Sequence, residues 1–177
     1  GKTTSLYRLK LGRGIESVPT LGCTVESLEY GNVEWTVWDM GGEARLRRLW
    51  RHYCPGTTAL VFVVDSSDRR RLELARSEFL SLCGEASLRD AKVLVLANKQ
   101  DLPGCASPGS LVDFLQLRSL SQDWLLVPTD AVRGVGLDVG MAWLASRLAA
   151  DGSKCHRSAF SPLFPWSSKI EGAVAAR

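Results

Sequence analysis

Along its first 150 residues the chain alternates short β-type apolar runs with segments of helical period. Cys23-Thr-Val-Glu-Ser-Leu-Glu-Tyr30 and Val33-Glu-Trp-Thr-Val-Trp-Asp39 are rich in β-branched and aromatic residues, and only Gly31-Asn32 separates them. A two-residue link of that kind favours positive φ and predicts a tight hairpin. Ala59-Leu-Val-Phe-Val-Val-Asp65 is continuously apolar and too short for a core helix, so it reads as a strand buried on both faces. Lys92-Val-Leu-Val-Leu-Ala-Asn98 repeats that pattern, and Trp124-Leu-Leu-Val-Pro128 is a weaker third. Between these runs, 70–83 places Leu72, Ala75, Phe79 and Leu82 at helical spacing, with Asp68 as a cap near its start. Segments 110–117 and 137–150 read as further helices, the latter with Met141, Leu144, Ala145 and Leu148 on one face.

Strands alternating with helices predict an α/β fold, a mostly parallel sheet covered by helices on both faces. Ligands of such sheets bind beyond the carboxyl ends of the strands, where candidate chemistry should be sought. The periodicity stops at Asp151, so the chain divides into one domain over 1–150 and an irregular tail over 151–177. Phe160, Phe164 and Trp166 could dock that tail onto the domain or a partner.

Composition narrows the class. With 45% hydrophobic and 23% charged residues among 177, the chain has the make-up of an ordinary globular domain. A net charge of +3 argues for neither nucleic acid nor membrane. Arg45, Arg47, Arg48 and Arg51 cluster, but as a solvated helix face that could receive an acidic effector or regulator. The five cysteines form no CxxC pair and no zinc spacing, which reads as reduced thiols in a cytosolic protein. No apolar run approaches the ~20 residues of a membrane-spanning helix.

Three motifs carry chemistry, and together they specify a nucleotide. Gly1-Lys2-Thr3-Thr4 matches the end of a phosphate-binding loop. Lys2 would contact the β- and γ-phosphates as a point charge and Thr3 would give its hydroxyl to Mg²⁺. Asp39-Met40-Gly41-Gly42 follows a predicted strand: the Asp39 carboxylate can hold Mg²⁺ through its water shell. The glycine beyond it can bring a backbone N–H close to the γ-phosphate. Asn98-Lys99-Gln100-Asp101 again ends an apolar strand. The Asp101 carboxylate can accept both guanine N1–H and the exocyclic amino group, a donor pair that adenine lacks. Asn98 would tie neighbouring loops together, and the Lys99 stem would lie along the base.

Over roughly 1–150 the chain resembles the ADP-ribosylation-factor and Arf-like branch of the small GTPases. The segments that carry the likeness are GKTTSLYRLKLG, VPTLGCTVESLEY, TVWDMGG, LWRHY, VFVVDSSDR and LANKQDLPG. The resemblance implies a P-loop GTPase fold whose first strand and start of the phosphate loop precede this sequence, the absent strand being central in the sheet. It implies GTP/GDP and Mg²⁺ as cofactors, with Thr20 a switch I metal ligand, Gly42 the switch II glycine, and 23–39 an interswitch that shifts register with nucleotide. Thr129-Asp130-Ala131 matches the loop that offers a backbone N–H to guanine O6, with Ala131 the donor and Asp130 where Cys is usual. Exchange factor, GTPase-activating protein and effectors are expected through Leu21, Cys23, Trp38, Trp50 and Tyr53. The implied setting is membrane traffic or organelle signalling, in the cytoplasm and peripherally on intracellular membranes through residues not in this sequence.

Two departures bear on function. Glu43 stands where the family usually has the Gln that orients the attacking water, alongside Gly42. Repulsion by the triphosphate should turn Glu43 away and slow hydrolysis, or Glu43 is a harmless solvated residue. The alternative reading is a GTP-binding or degenerate interaction module that does not hydrolyse. Cys23 replaces an aromatic of the effector face, where it either changes the partner or packs as a small hydrophobe.

Overall fold

The computed structural model describes residues 1–13, 20–31, 33–150 and 175–176. Asn32 and most of the 151–177 segment, including Phe160, Phe164 and Trp166, lie outside the described residues. Helix α1 (Lys2–Leu11) is followed by the hairpin β1 (Cys23–Tyr30) and β2 (Val33–Met40), then the short α2 (Ala44–Arg47). There follow β3 (Ala59–Asp65), α3 (Leu72–Cys83), β4 (Lys92–Asn98), α4 (Pro108–Phe114), β5 (Trp124–Thr129) and α5 (Leu137–Ala150).

Strands β3, β4 and β5 are parallel neighbours, so the βαβ reading of the sequence holds. Because successive side chains leave a strand on opposite faces, each strand feeds two cores. Val93, Val95 and Ala97 of β4 join Trp124 and Leu126 of β5 in a core closed by Phe79 of α3 and Leu111 of α4. The intervening Leu94, Leu96, Leu125 and Val127 form the other core with Leu6 of α1 and Leu137, Met141 and Leu144 of α5. Helices thus cover both faces.

β3 departs from expectation. It alternates between buried and partly exposed positions, Val61 being 41% exposed, because among the described residues it is the edge of its sheet and pairs only with β4. The hairpin makes a separate two-stranded sheet that shares no pairing with β3 among the described residues. Two helices also begin elsewhere than the periodicity suggests. The turn Arg69–Arg71 is 3₁₀ and α3 starts at Leu72, with Asp68 accepting from Arg71 N. Helix α4 starts at Pro108, capped by the Ser107 hydroxyl, and the chain breaks at Gln116 (φ 57°) before a 3₁₀ turn. At the far end, Ala175–Ala176 (β6) pairs antiparallel with β5.

The hairpin is fixed to the domain at its turn. Gly31 has φ 62°, as a tight turn requires, and the adjacent Tyr30 hydroxyl donates to Asp138 Oδ1 at 3.0 Å at the start of α5. Burial first, then the charge and hydrogen bond of Asp138, push the Tyr30 phenol up to about 12 from 10.0. The fold therefore favours the neutral phenol: this contribution is complete below pH 10 and is lost as pH rises toward 12. Urea midpoints of the native chain should fall across that window by more than those of Tyr30→Phe; equal slopes would remove the contact from the account.

Candidate functional site

The carboxyl ends of the strands and the amino end of α1 meet at one edge of the domain. There the Lys2 ammonium sits over the glycine pair: a Cβ built on Gly42 would lie 2.9 Å from Lys2 Nζ. Burial lowers the Lys2 pKa below its ordinary value, and Asp39 partly offsets this. A half-desolvated cation beside a helix N-terminus is a favourable seat for an anion.

Three oxygens converge beside it. Thr3 Oγ1 donates to Asp39 Oδ2 at 2.5 Å and lies 2.9 Å from Thr20 Oγ1, while Thr20 Oγ1 donates to the same carboxylate oxygen at 3.3 Å. Asp39 is buried at the end of β2. Residues remote in sequence are thereby brought together. The set is hard and oxygen-only, and neighbouring ligands in an octahedral Mg²⁺ shell are about 2.9 Å apart at bond lengths of about 2.0–2.1 Å. One carboxylate with two hydroxyls fits a metal that keeps much of its water and shares a phosphate.

Of the two glycines, Gly41 is the sterically constrained one. A Cβ there would lie 2.6 Å from Thr20 O and 2.4 Å from Leu46 Cδ1, while Gly41 N donates to Gly22 O at 2.8 Å. Trp50 Nε1 donates to Gly41 O, so this indole is turned inward. At Gly42 the added carbon would meet only the flexible end of Lys2. Gly41→Ala should therefore displace the Thr20 loop and weaken Mg²⁺-dependent nucleotide binding about tenfold or more, measured as the Mg²⁺ concentration for half-maximal binding. Gly42→Ala should act less on that concentration; the reverse order would contradict the geometry.

The second half of the site is a cavity of ≈ 170 Å³ lined by Gly1, Thr4, Asn98, Lys99, Asp101, Asp130, Ala131 and Val132. Asn98 is buried, and its Oδ1 accepts from Thr129 Oγ1 at 3.3 Å and from Ala131 N at 2.9 Å, joining the β4 and β5 loops. The Ala131 N–H, expected on guanine O6, is thus engaged by Asn98 here. Lys99 sits in the left-handed region at φ 66°, an uncommon conformation for a residue with a side chain. Its Nζ pairs with Asp65 Oδ2 at 2.6 Å. Burial raises the Asp65 pKa, but the Lys99 and Ser67 hydrogen bonds outweigh it and hold the carboxyl below its ordinary value. Asp130 turns into its own loop, accepting from Val132 N and Arg133 N. Asp101 is exposed at the rim, and its carboxylate has no hydrogen bond or ion pair among the described residues.

A family model described as the ADP-ribosylation factor family matches residues 1–148. The chain belongs to the ADP-ribosylation factor family. Its fold is also similar to the Arl6 BBS3 small GTPase from Trypanosoma brucei, solved with the nucleotide analogue GppNp bound. That match has a TM-score of 0.79 and 32% identity over 85% of this chain and 91% of that one. Membership in this small-GTPase family makes the chain a guanine-nucleotide-binding switch. Among the described residues no helix is long and apolar enough to cross a membrane.

Three members of the site fall within segments quoted from the sequence but carry no role of their own there: Asp65, Thr129 and Gly41. Asp65 ends β3 and is in register with Asn98, which puts it beside Lys99. Thr129 is likewise in register with Asn98. Gly41 is constrained by a carbonyl nineteen or more residues away in the loop before β1, which no local pattern records.

Proposed function

We propose that the chain is a Mg²⁺-dependent GTP/GDP switch in which Asp101 selects guanine and Thr3, Thr20 and Asp39 hold the metal beside the phosphates. The observation that carries the reading is the convergence of the Thr3–Thr20–Asp39 oxygens at the same sheet edge as the Asn98–Asp101 loop. Lys2 places its positive charge where the β- and γ-phosphates of a bound nucleotide would lie. Asp101 accepts the guanine N1–H and amino hydrogens. Ala131 N–H is shared between Asn98 and the base oxygen, and Lys99, held by Asp65, lays its stem along the ring. A bound Mg²⁺ supplies charge neutralisation of the phosphates.

Thr20 and Gly42 report the γ-phosphate. Thr20 lies just before β1 and Gly42 just after β2, so loss of that phosphate would release both and alter the face presented to effectors. Leu21, Cys23, Trp38 and Tyr53 lie on that face, and Cys23 is half-buried with its thiol pushed up by burial. Exchange factor, activating protein and effectors are placed there, in cytoplasmic membrane traffic or organelle signalling.

Fluorescent GTP and ATP analogues titrated with and without Mg²⁺ test the reading. Preference for GTP of at least about a hundredfold, strengthened by Mg²⁺, is expected. Equal affinity for the two bases, or none for either, would overturn it. A second reading, a GTP-binding module that does not hydrolyse, is favoured by one observation: Glu43 is exposed and ion-paired with Arg45 at 2.9 Å. Binding without turnover would select it.

A further inference from the structure

The loop between β5 and α5 lies against the base cavity and is held by one buried carboxylate. Asp130 is 6% exposed, and it lines that cavity together with Asp101, Ala131 and Val132. Its Oδ1 accepts from Val132 N at 2.9 Å and from Arg133 N at 3.1 Å. Its Oδ2 pairs with the Arg133 guanidinium at 3.3 Å. The backbone of the same residue closes the loop: Asp130 N donates to Val135 O at 3.1 Å, and Asp130 O accepts from Gly134 N at 2.7 Å. Every backbone N–H from Asp130 to Gly134 is therefore engaged. Of these, only Ala131 N–H goes outside the loop, to Asn98 Oδ1 at 2.9 Å.

A second contact ties the loop to α1, the helix that opens at Lys2 and Thr3. Arg8 Nη2 donates to Arg133 O at 2.9 Å. The Arg8 side chain crosses closely over Gly134, where an added Cβ would lie 2.7 Å from Nε. One brace thus runs from the phosphate-side helix through Arg133 to Asp130.

From this we infer that Asp130 is a positioning residue which, braced by Arg8, sets how the site recognises the 6-oxygen of the purine. By occupying the Val132 and Arg133 N–H groups, it leaves Ala131 N–H as the donor of that stretch that a base oxygen can share. A side chain that accepted from neither would free both amides, and the loop could turn a different one toward the cavity. A loop held in place before binding loses less freedom when the base arrives, so it discriminates more sharply. The Asp130 charge would by itself repel a base oxygen, but Arg133 and the two N–H groups are placed to offset it. The inference rests on the switch reading, since it needs guanine in this cavity. It adds a check at position 6 to the one that Asp101 makes at the N1–H and amino side.

Two analogues separate those checks. 6-Thio-GTP keeps the N1–H and amino group but carries a weakly accepting sulfur at position 6, whereas ITP keeps the oxygen and lacks the amino group. Dissociation constants for GTP, 6-thio-GTP and ITP are measured on the native chain, Asp130→Ala, Asp130→Asn and Arg8→Met. The native chain should prefer GTP over 6-thio-GTP by about tenfold, the scale of one hydrogen bond. Asp130→Ala should cut that ratio to about two and leave the GTP-to-ITP ratio unchanged. Asp130→Asn, whose amide oxygen still accepts from both N–H groups, should keep most of it. Arg8→Met releases the brace without touching the loop's own bonds, and should lower the ratio about threefold even if Asp130→Ala does not fold. Equal losses for all three nucleotides in Asp130→Ala would make Asp130 a structural residue of the loop and overturn the inference. So would an unchanged ratio in Arg8→Met, or a loss in Asp130→Asn as complete as in Asp130→Ala. A native chain that selects GTP over ATP but gives any of these results keeps the switch reading and loses this inference alone. A native chain that takes no guanine nucleotide loses both.

Discussion

Asp101→Ala is expected to weaken GTP binding by about two to four orders of magnitude while leaving the thermal midpoint of the nucleotide-free chain unchanged. The stability half follows from where Asp101 sits: exposed at the cavity rim and bonded to nothing among the described residues, so its removal orphans no buried group. The affinity half follows from charge-assisted hydrogen bonds at about 1.5–3 kcal/mol each, two of which the carboxylate can make to guanine. At about 1.4 kcal/mol per decade the pair is worth roughly two to four decades. ATP affinity should barely change, since adenine offers no matching donors. Isothermal titration with both nucleotides reads the two effects together. A parallel loss for GTP and ATP would mean that Asp101 holds the loop in place instead of reading the base.

Asp65→Asn provides the contrast. Its carboxylate is already occupied by Lys99 and Ser67, so its loss should act through the placement of Lys99 and weaken binding less selectively.

The sequence and the fold agree most closely where the environment of a strand is uniform. β4 was legible as a doubly covered strand because all seven of its residues are buried, so every position had to be apolar or, at Lys92 and Asn98, engaged by a partner. Residues 59–65 look alike on paper but form an edge, and an edge is a property of what lies beside a strand, not of its own letters. Ser107-Pro108 is a readable cap and first-turn pair, yet the apolar period begins only at Leu111, which moved the expected start of α4 inward. In the site, Thr3, Thr20 and Asp39 were nameable singly by motif and resemblance. Their contact is a product of the hairpin register, which pairs Thr24 with Asp39 and returns the Thr20 loop to α1. Gly41 and Gly42 are identical letters, and only the packing of Leu46 and the Thr20 and Gly22 carbonyls against Gly41 distinguishes them.

Glu43→Gln is expected to raise the single-turnover rate of GTP hydrolysis by about tenfold or more, with little change in GTP affinity. Glu43 lies at the entrance to α2, next to Gly42, and makes no capping bond to the helix backbone. Its partner is Arg45, an exposed pair of the kind worth about 0–1 kcal/mol, so the ion pair positions Glu43 only weakly. Repulsion from the phosphates is the larger influence: two unit charges 4 Å apart interact by about 4 kcal/mol at an effective dielectric near 20. A carboxylate brought to the γ-phosphate would therefore pay more than Arg45 can return, and it stays outside. Gln at the same position carries no charge, can approach, and can hold a water by its carbonyl and amide. Glu43→Ala separates the two contributions, since it removes the charge without supplying those groups. Faster turnover in Gln than in Ala assigns the effect to water orientation. Equal gains assign it to charge alone, and no gain in either variant would show that hydrolysis is limited elsewhere, leaving Glu43 a solvated residue of the turn.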